Sequence, residues 1–209
     1  MKKIILFLFI LLSYNSLTAQ EITNLILVGA KGVTEDINEA TSFVLIKKYP
    51  SGSFERKDYV LHGPLKIMKT YSDASLKVLD GLYCSYRADG SINLSGSYRN
   101  NKKESYWYHY NDTGKIVIVE TYLSDSLIKS EIVIDSADKK KTELKEGEKE
   151  AEFNGGNVAL KKYLVKNLDA DVSLKSAKGG QVRVGFTINV DGKVKDLFLQ
   201  KSVEFVLDE

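Results

Sequence analysis

Gly81-Leu82-Tyr83-Cys84-Ser85-Tyr86-Arg87-Ala88-Asp89-Gly90-Ser91-Ile92-Asn93-Leu94-Ser95-Gly96-Ser97-Tyr98 sets a pattern that the chain repeats. Tyr71, Gly81 and Tyr83 share their spacing with Tyr86, Gly96 and Tyr98, and again with Tyr110, Glu120 and Tyr122. A wider alignment pairs Gly81 with Ser105, Tyr86 with Tyr110, Gly90 with Gly114, Ile92 with Ile116 and Tyr98 with Tyr122, each 24 positions on. Turn signals at Ala88-Asp89-Gly90, Asn100-Asn101 and Asp112-Thr113-Gly114 separate short aromatic or branched segments. Such a repeat predicts successive antiparallel hairpins whose aromatic faces cover one another. Residues 42–49 and 54–61 flank the turn cluster Pro50-Ser51-Gly52-Ser53 and are expected to extend the same sheet.

A second patterned stretch is Gly180-Gln181-Val182-Arg183-Val184-Gly185-Phe186-Thr187-Ile188-Asn189-Val190-Asp191-Gly192-Lys193-Val194. Val182, Val184, Phe186, Ile188 and Val190 recur at every second position, the period of a strand with one face buried. Asp191-Gly192 predicts a two-residue type I′ turn, which sets Phe186 opposite Leu197 and Val184 opposite Leu199. Val194 breaks that register unless a bulge intervenes. Upstream, Asn157 is placed to cap a helix in which Leu160, Leu164 and Leu168 recur beside Tyr163, with Lys161, Lys162 and Lys166 opposite.

Met1-Lys2-Lys3 and the apolar run over residues 4–12 read as an export signal too short to span a bilayer comfortably. Residues 1–19 are the expected signal peptide, cleaved after Ala19, so the mature chain starts at Gln20 in the periplasm without an integral membrane span; the alternative is an uncleaved membrane anchor. The single Cys84 excludes an internal disulfide, which an exported chain could otherwise use. Of the 209 residues, 43% are apolar, enough for a core. Thirty basic residues against 28 acidic ones leave no nucleic-acid footprint. Residues 136–151 carry dense mixed charge and read as a linker between a β-repeat region, 20–135, which is expected to fold alone, and a module over 152–209.

Catalytic and cofactor chemistry is not signalled. The two histidines, His62 and His109, fall on separate segments, no metal-ligand spacing occurs, and Cys84 has no base and orienting group beside it. The expectation is therefore a non-enzyme without cofactor or metal. Tyr106-Trp107-Tyr108-His109-Tyr110 is the candidate recognition surface, because aromatic residues carry much interface energy. Alternation sends Tyr106, Tyr108 and Tyr110 to one face and Trp107 to the other.

Across residues 81–122 the succession of Gly-x-Tyr, Asp-Gly or Thr-Gly, and Gly-x-Tyr resembles MORN repeats and the related YwqK-type antitoxin repeat. Ser105 and Glu120 stand where that pattern has glycine. In the last quarter, the order of Ala151-Glu152-Phe153-Asn154-Gly155-Gly156, helix, Gly-led strand, Asp-Gly turn and strand resembles the C-terminal domain of TonB-like energy transducers. Asn154 replaces that family's proline, Asp169-Ala170-Asp171 replaces its Tyr-Pro, and residues 206–209 reach only the first turn of its second helix. Together the resemblances imply an α+β, mostly β chain: an antiparallel MORN-like hairpin sheet followed by a truncated TonB-like helix and β-hairpin. They imply a cell-envelope protein that contacts other envelope proteins, outer-membrane transporters among them. The unpaired edge of the two-stranded C-terminal hairpin is expected to be open to homodimerisation. The alternative is a MORN-like scaffold for protein or lipid headgroups with a vestigial C-terminal module.

Overall fold

The computed structural model describes residues 21–133, 152–167, 176 and 179–209. The expected signal peptide, the linker and Leu168 lie outside the described residues. Ten strands follow from the first described residue: β1 (Glu21–Gly29), β2 (Gly32–Thr34), β3 (Ala40–Lys48), β4 (Phe54–Val60), β5 (Leu65–Tyr71), β6 (Leu79–Tyr86), β7 (Ile92–Arg99), β8 (Lys102–Tyr110), β9 (Ile116–Leu123) and β10 (Ser126–Ile132). They form one antiparallel sheet in the order β10-β9-β8-β7-β6-β5-β4-β3-β1-β2. Helix α1 (Gly156–Asn167), the hairpin β11 (Arg183–Ile188) and β12 (Val194–Lys201), and the short helix α2 (Phe205–Asp208) follow.

The 24-residue repeat is carried by the hydrogen bonds of the turns. Asn100 and Asn101 both take left-handed φ, +50° and +67°, and Ser124 and Asp125 match them at +49° and +71°, the two-residue turn that follows a sheet's right-handed twist. Asn101 N–H donates to Leu79 O at 2.8 Å while its Oδ1 accepts the Leu79 N–H at 2.7 Å. Asp125 makes the same two bonds to Lys103, at 3.0 and 2.7 Å. Ser105, at φ +61°, holds the left-handed conformation of Gly81, at φ +114°. The departure from glycine thus changes the residue and keeps the backbone.

The other recurring turn spans residues 49–53, 87–91, 111–115 and 189–193. In each, the first N–H donates to the fifth carbonyl, and a left-handed glycine, Gly52, Gly90, Gly114 or Gly192, donates back to the first carbonyl. This is a three-residue loop, a type I turn closed by a left-handed glycine. It corrects the type I′ turn expected at Asp191-Gly192, since Asp191 does not take positive φ. Ile188 therefore faces Val194, and a bulge with Asp196 at φ +50° restores the expected Val184–Leu199 pairing. Phe186 loses its direct partner to that bulge. Asn157 is the second residue of α1 and not its cap.

The core lies on one face of the large sheet, where Phe43, Tyr59, Leu65, Met68, Cys84, Ile92 and Tyr110 cluster with Leu199 from β12. Packing therefore crosses the boundary expected near residue 151. Ser91 bridges Lys201, Ser202 N–H donates to Gly90 O at 2.9 Å, and Ser202 Oγ accepts the Leu65 N–H at 2.7 Å. Phe205 sets its ring edge-on to Phe43 and Tyr59, with centroids 5.6 and 5.7 Å away. The Glu209 carboxylate binds Lys47 and lies 2.5 Å from Lys57, which also pairs with buried Glu55 at 3.3 Å. These residues hold the tail onto β3, β4 and the turn after β6.

Candidate interaction groove

Tyr106, Trp107, Tyr108 and Tyr110 are consecutive or alternate on β8, and the sheet sends them to different fates. The ring of Trp107 lies on Gly96, where any Cβ would fall 2.2 Å from it. Tyr83, Tyr98 and Tyr122 wall it in, with centroids 5.5, 5.1 and 6.2 Å away, and the Lys103 ammonium caps it at 4.4 Å. Trp107 is fully buried, so it is removed from the candidate surface. A cation over an aromatic face adds to this closure. Tyr110 is removed as well, because it joins the core and its hydroxyl shares a 2.9 Å hydrogen bond with buried Ser95. Two of the four expected surface residues therefore hold the sheet together.

Tyr106 and Tyr108 remain. Their rings lie 6.3 Å apart on the face opposite Trp107, with Tyr106 54% exposed and Tyr108 half-buried against the core. Burial raises the Tyr108 phenol, with a smaller push from Tyr106, so Tyr108 stays a neutral donor near neutral pH. Opposite them stands the β11–β12 hairpin. Gly185 leaves room for the Phe198 ring, which a Cβ there would strike at 2.7 Å, and Phe186 is half-exposed.

Between sheet and hairpin runs a groove of about 1030 Å³, with Tyr106, Tyr108, Ile116 and Val119 on the sheet side and Phe186 and Phe198 on the other. Its rim carries Asp80, Glu104 and Asp196 against Arg99, Lys115 and Lys195. With the signs balanced, the groove favours an apolar or aromatic guest over a polyanion. A second cleft of about 270 Å³, lined by Leu25, Leu27, Ile37 and Val206, is almost wholly apolar and has room for only a side chain or two.

Cys84 is fully buried, and that burial pushes its thiol up to about 12, which leaves no thiolate near neutral pH. His109 lies on the Trp107 face, its Nε2 3.0 Å from Glu120 Oε2, and the Tyr122 hydroxyl donates to the same carboxylate oxygen at 3.1 Å. The bond to His109 lowers the Glu120 carboxyl despite partial desolvation. His62 sits in the tight turn after β4 at φ +54°, apart from both. Among the described residues no group of three or more His, Cys, Asp or Glu side chains is placed to hold a metal ion, and no helix is long and apolar enough to cross a membrane.

Sequence reasoning found the tyrosine wall and missed Phe186 and Phe198 as its counterpart. The alternation that made them strand residues was visible, but the groove arises only because β12 is tied to the turn after β6. The ion cluster of Glu209, Lys47, Lys57 and Glu55 was missed for the same reason, since its members lie far apart in sequence. Comparison with protein families, with curated proteins and with solved structures finds no match for the chain.

Proposed function

We propose that this chain is an exported, non-enzymatic protein of a Gram-negative envelope that binds other envelope proteins through the groove between its tyrosine wall and its C-terminal hairpin. The observation that carries the reading is the facing of half-exposed Tyr106 and Phe186 across a groove of about 1030 Å³ with a charge-balanced rim. Aromatic side chains left half-wet in a concave site have area still to bury, and one such anchor accounts for much of an interface's energy. The guest is an extended apolar or aromatic segment of a partner protein, and a link to outer-membrane transport follows from the TonB-like order of the last quarter. The 24-residue recurrence of turn bonds supports a MORN-like reading of residues 81–122. A buried, protonated Cys84 supports the non-enzymatic part.

Panning the mature chain against a random-peptide display library tests this. Apolar, aromatic-containing peptides should be enriched, and Tyr106→Ser or Phe186→Ser should each weaken their binding by roughly thirtyfold. Peptides that bind both variants as well as the parent chain would place recognition elsewhere.

A further inference from the structure

Strand β10 is one outer edge of the ten-stranded sheet, and all seven of its residues are exposed. Its inner side is bonded to β9, where Val133 N–H donates to Val117 O at 2.8 Å and Glu131 and Lys129 face Val119 and Thr121. Inward- and outward-bonding residues alternate along an antiparallel ladder, so Ser130 and Ile132 turn their N–H and C=O groups to the open side. Such an edge is a template for another strand.

The sequence of the edge selects which strand. When two copies of one strand extend a continuous sheet, opposed residues must share a face, so the two-fold axis passes through a residue. Centred on Ser130, Ser130 meets its own copy and Lys129 meets Glu131, while the β-bulge at Ile128 ends the regular register on that side. Symmetry makes both charge pairs at once, on one face of the sheet. Centring on Lys129 or on Glu131 would instead oppose like charges, which is destabilising. In the single chain Lys129 and Glu131 pair with each other at 2.8 Å while more than half exposed, so little is lost when they exchange partners.

We infer that β10 is a self-recognition edge, through which two copies of this chain join antiparallel about Ser130 into one continuous sheet. An edge lysine ordinarily keeps foreign strands away. Here Glu131 supplies its partner in one register only, so the same lysine admits the chain's own copy. The inference does not rest on the groove or on what it binds, and it places the dimer on β10 and not on the C-terminal hairpin expected from sequence.

Sedimentation velocity of the full mature chain at micromolar concentrations tests it. The parent chain should dimerise reversibly. Ser130→Pro should be monomeric with an unchanged urea midpoint, because it removes the outward N–H and no bond to β9. Lys129→Glu alone and Glu131→Lys alone should each weaken self-association roughly tenfold, and mixing the two variants should restore a heterodimer. A parent chain that stays monomeric, or a dimer that survives Ser130→Pro, overturns the proposal. If Ser130→Pro does not fold, the mixing experiment decides, and failure of the two charge variants to recover on mixing overturns it equally.

Discussion

Glycines in this chain do two different jobs, and single substitutions separate them. At Gly96 the backbone is ordinary, but a Cβ would stand 2.2 to 2.6 Å from three atoms of the Trp107 ring, which three tyrosines and Lys103 prevent from retreating. Gly96→Ala should therefore cost about 3 kcal/mol, at the upper end of the usual penalty for overpacking. At Gly114 nothing lies within 4 Å of the missing Cβ, and only the left-handed φ of +79° is at stake. Gly114→Ala should cost about 1 kcal/mol. Urea unfolding followed by fluorescence of Trp107, the only tryptophan, measures both. Equal losses at the two sites would mean that the Trp107 cage is looser than its geometry implies. The reading of β8 follows the same division, since alternation sorted the tyrosines from Trp107 but could not tell which aromatic ring would be covered.

At the scale of elements, the repeat unit specifies a backbone and tolerates substitution within it. Ser105 keeps the left-handed conformation of Gly81 at a cost that glycine would not incur. Glycine also has more freedom to lose on folding, which offsets about half of the gain. Ser105→Gly should still raise stability by about 0.5 to 1 kcal/mol in the same urea measurement. A loss of stability would show that Ser105 contributes a contact beyond its φ, and that residues 81 and 105 are not equivalent. This explains what was legible in the sequence. Strand spacing and turn positions follow from Gly, Asn and Asp at fixed intervals, so the sheet and the extension by β3 and β4 could be read. The hairpin's turn type could not, because Asp-Gly suits both a two-residue loop and the end of a three-residue one. The bulge at Asp196 compensates for that difference, which is why Val184 meets Leu199 across a three-residue turn.

For the whole molecule, the C-terminal segment contributes to the core of the large sheet. Phe205, Ser202 and Glu209 close the side of the sheet that carries Phe43, Tyr59 and Leu65. Glu209 is also where charge decides stability. Burial alone would raise its carboxyl, but Lys57 and Lys47 outweigh burial and hold it below the usual range. Lys57 is likewise pulled down by burial and held above its ordinary value by Glu55 and Glu209. Glu209→Gln would leave two largely buried ammonium groups without that carboxylate and should cost about 3 kcal/mol at neutral pH. The sign of the pH effect follows from the direction of the shift. A carboxyl lowered on folding stabilises the native state above its unfolded value, near 4.5, and that stability disappears as pH falls through the folded value. Neighbouring Asp208, raised mainly by its own burial, works the other way and favours folding when protonated. Because Glu209 has two cationic partners and Asp208 is already bonded to Val203 N–H and Ser202 Oγ, the Glu209 effect should dominate below pH 4.5. Urea midpoints of the parent chain should fall steeply as pH drops below that value, whereas Glu209→Gln should start lower and fall less. Parallel pH profiles for the two proteins would show that Glu209 and the lysines are not coupled in solution, and the tail would then be held by Phe205 and Ser202 alone.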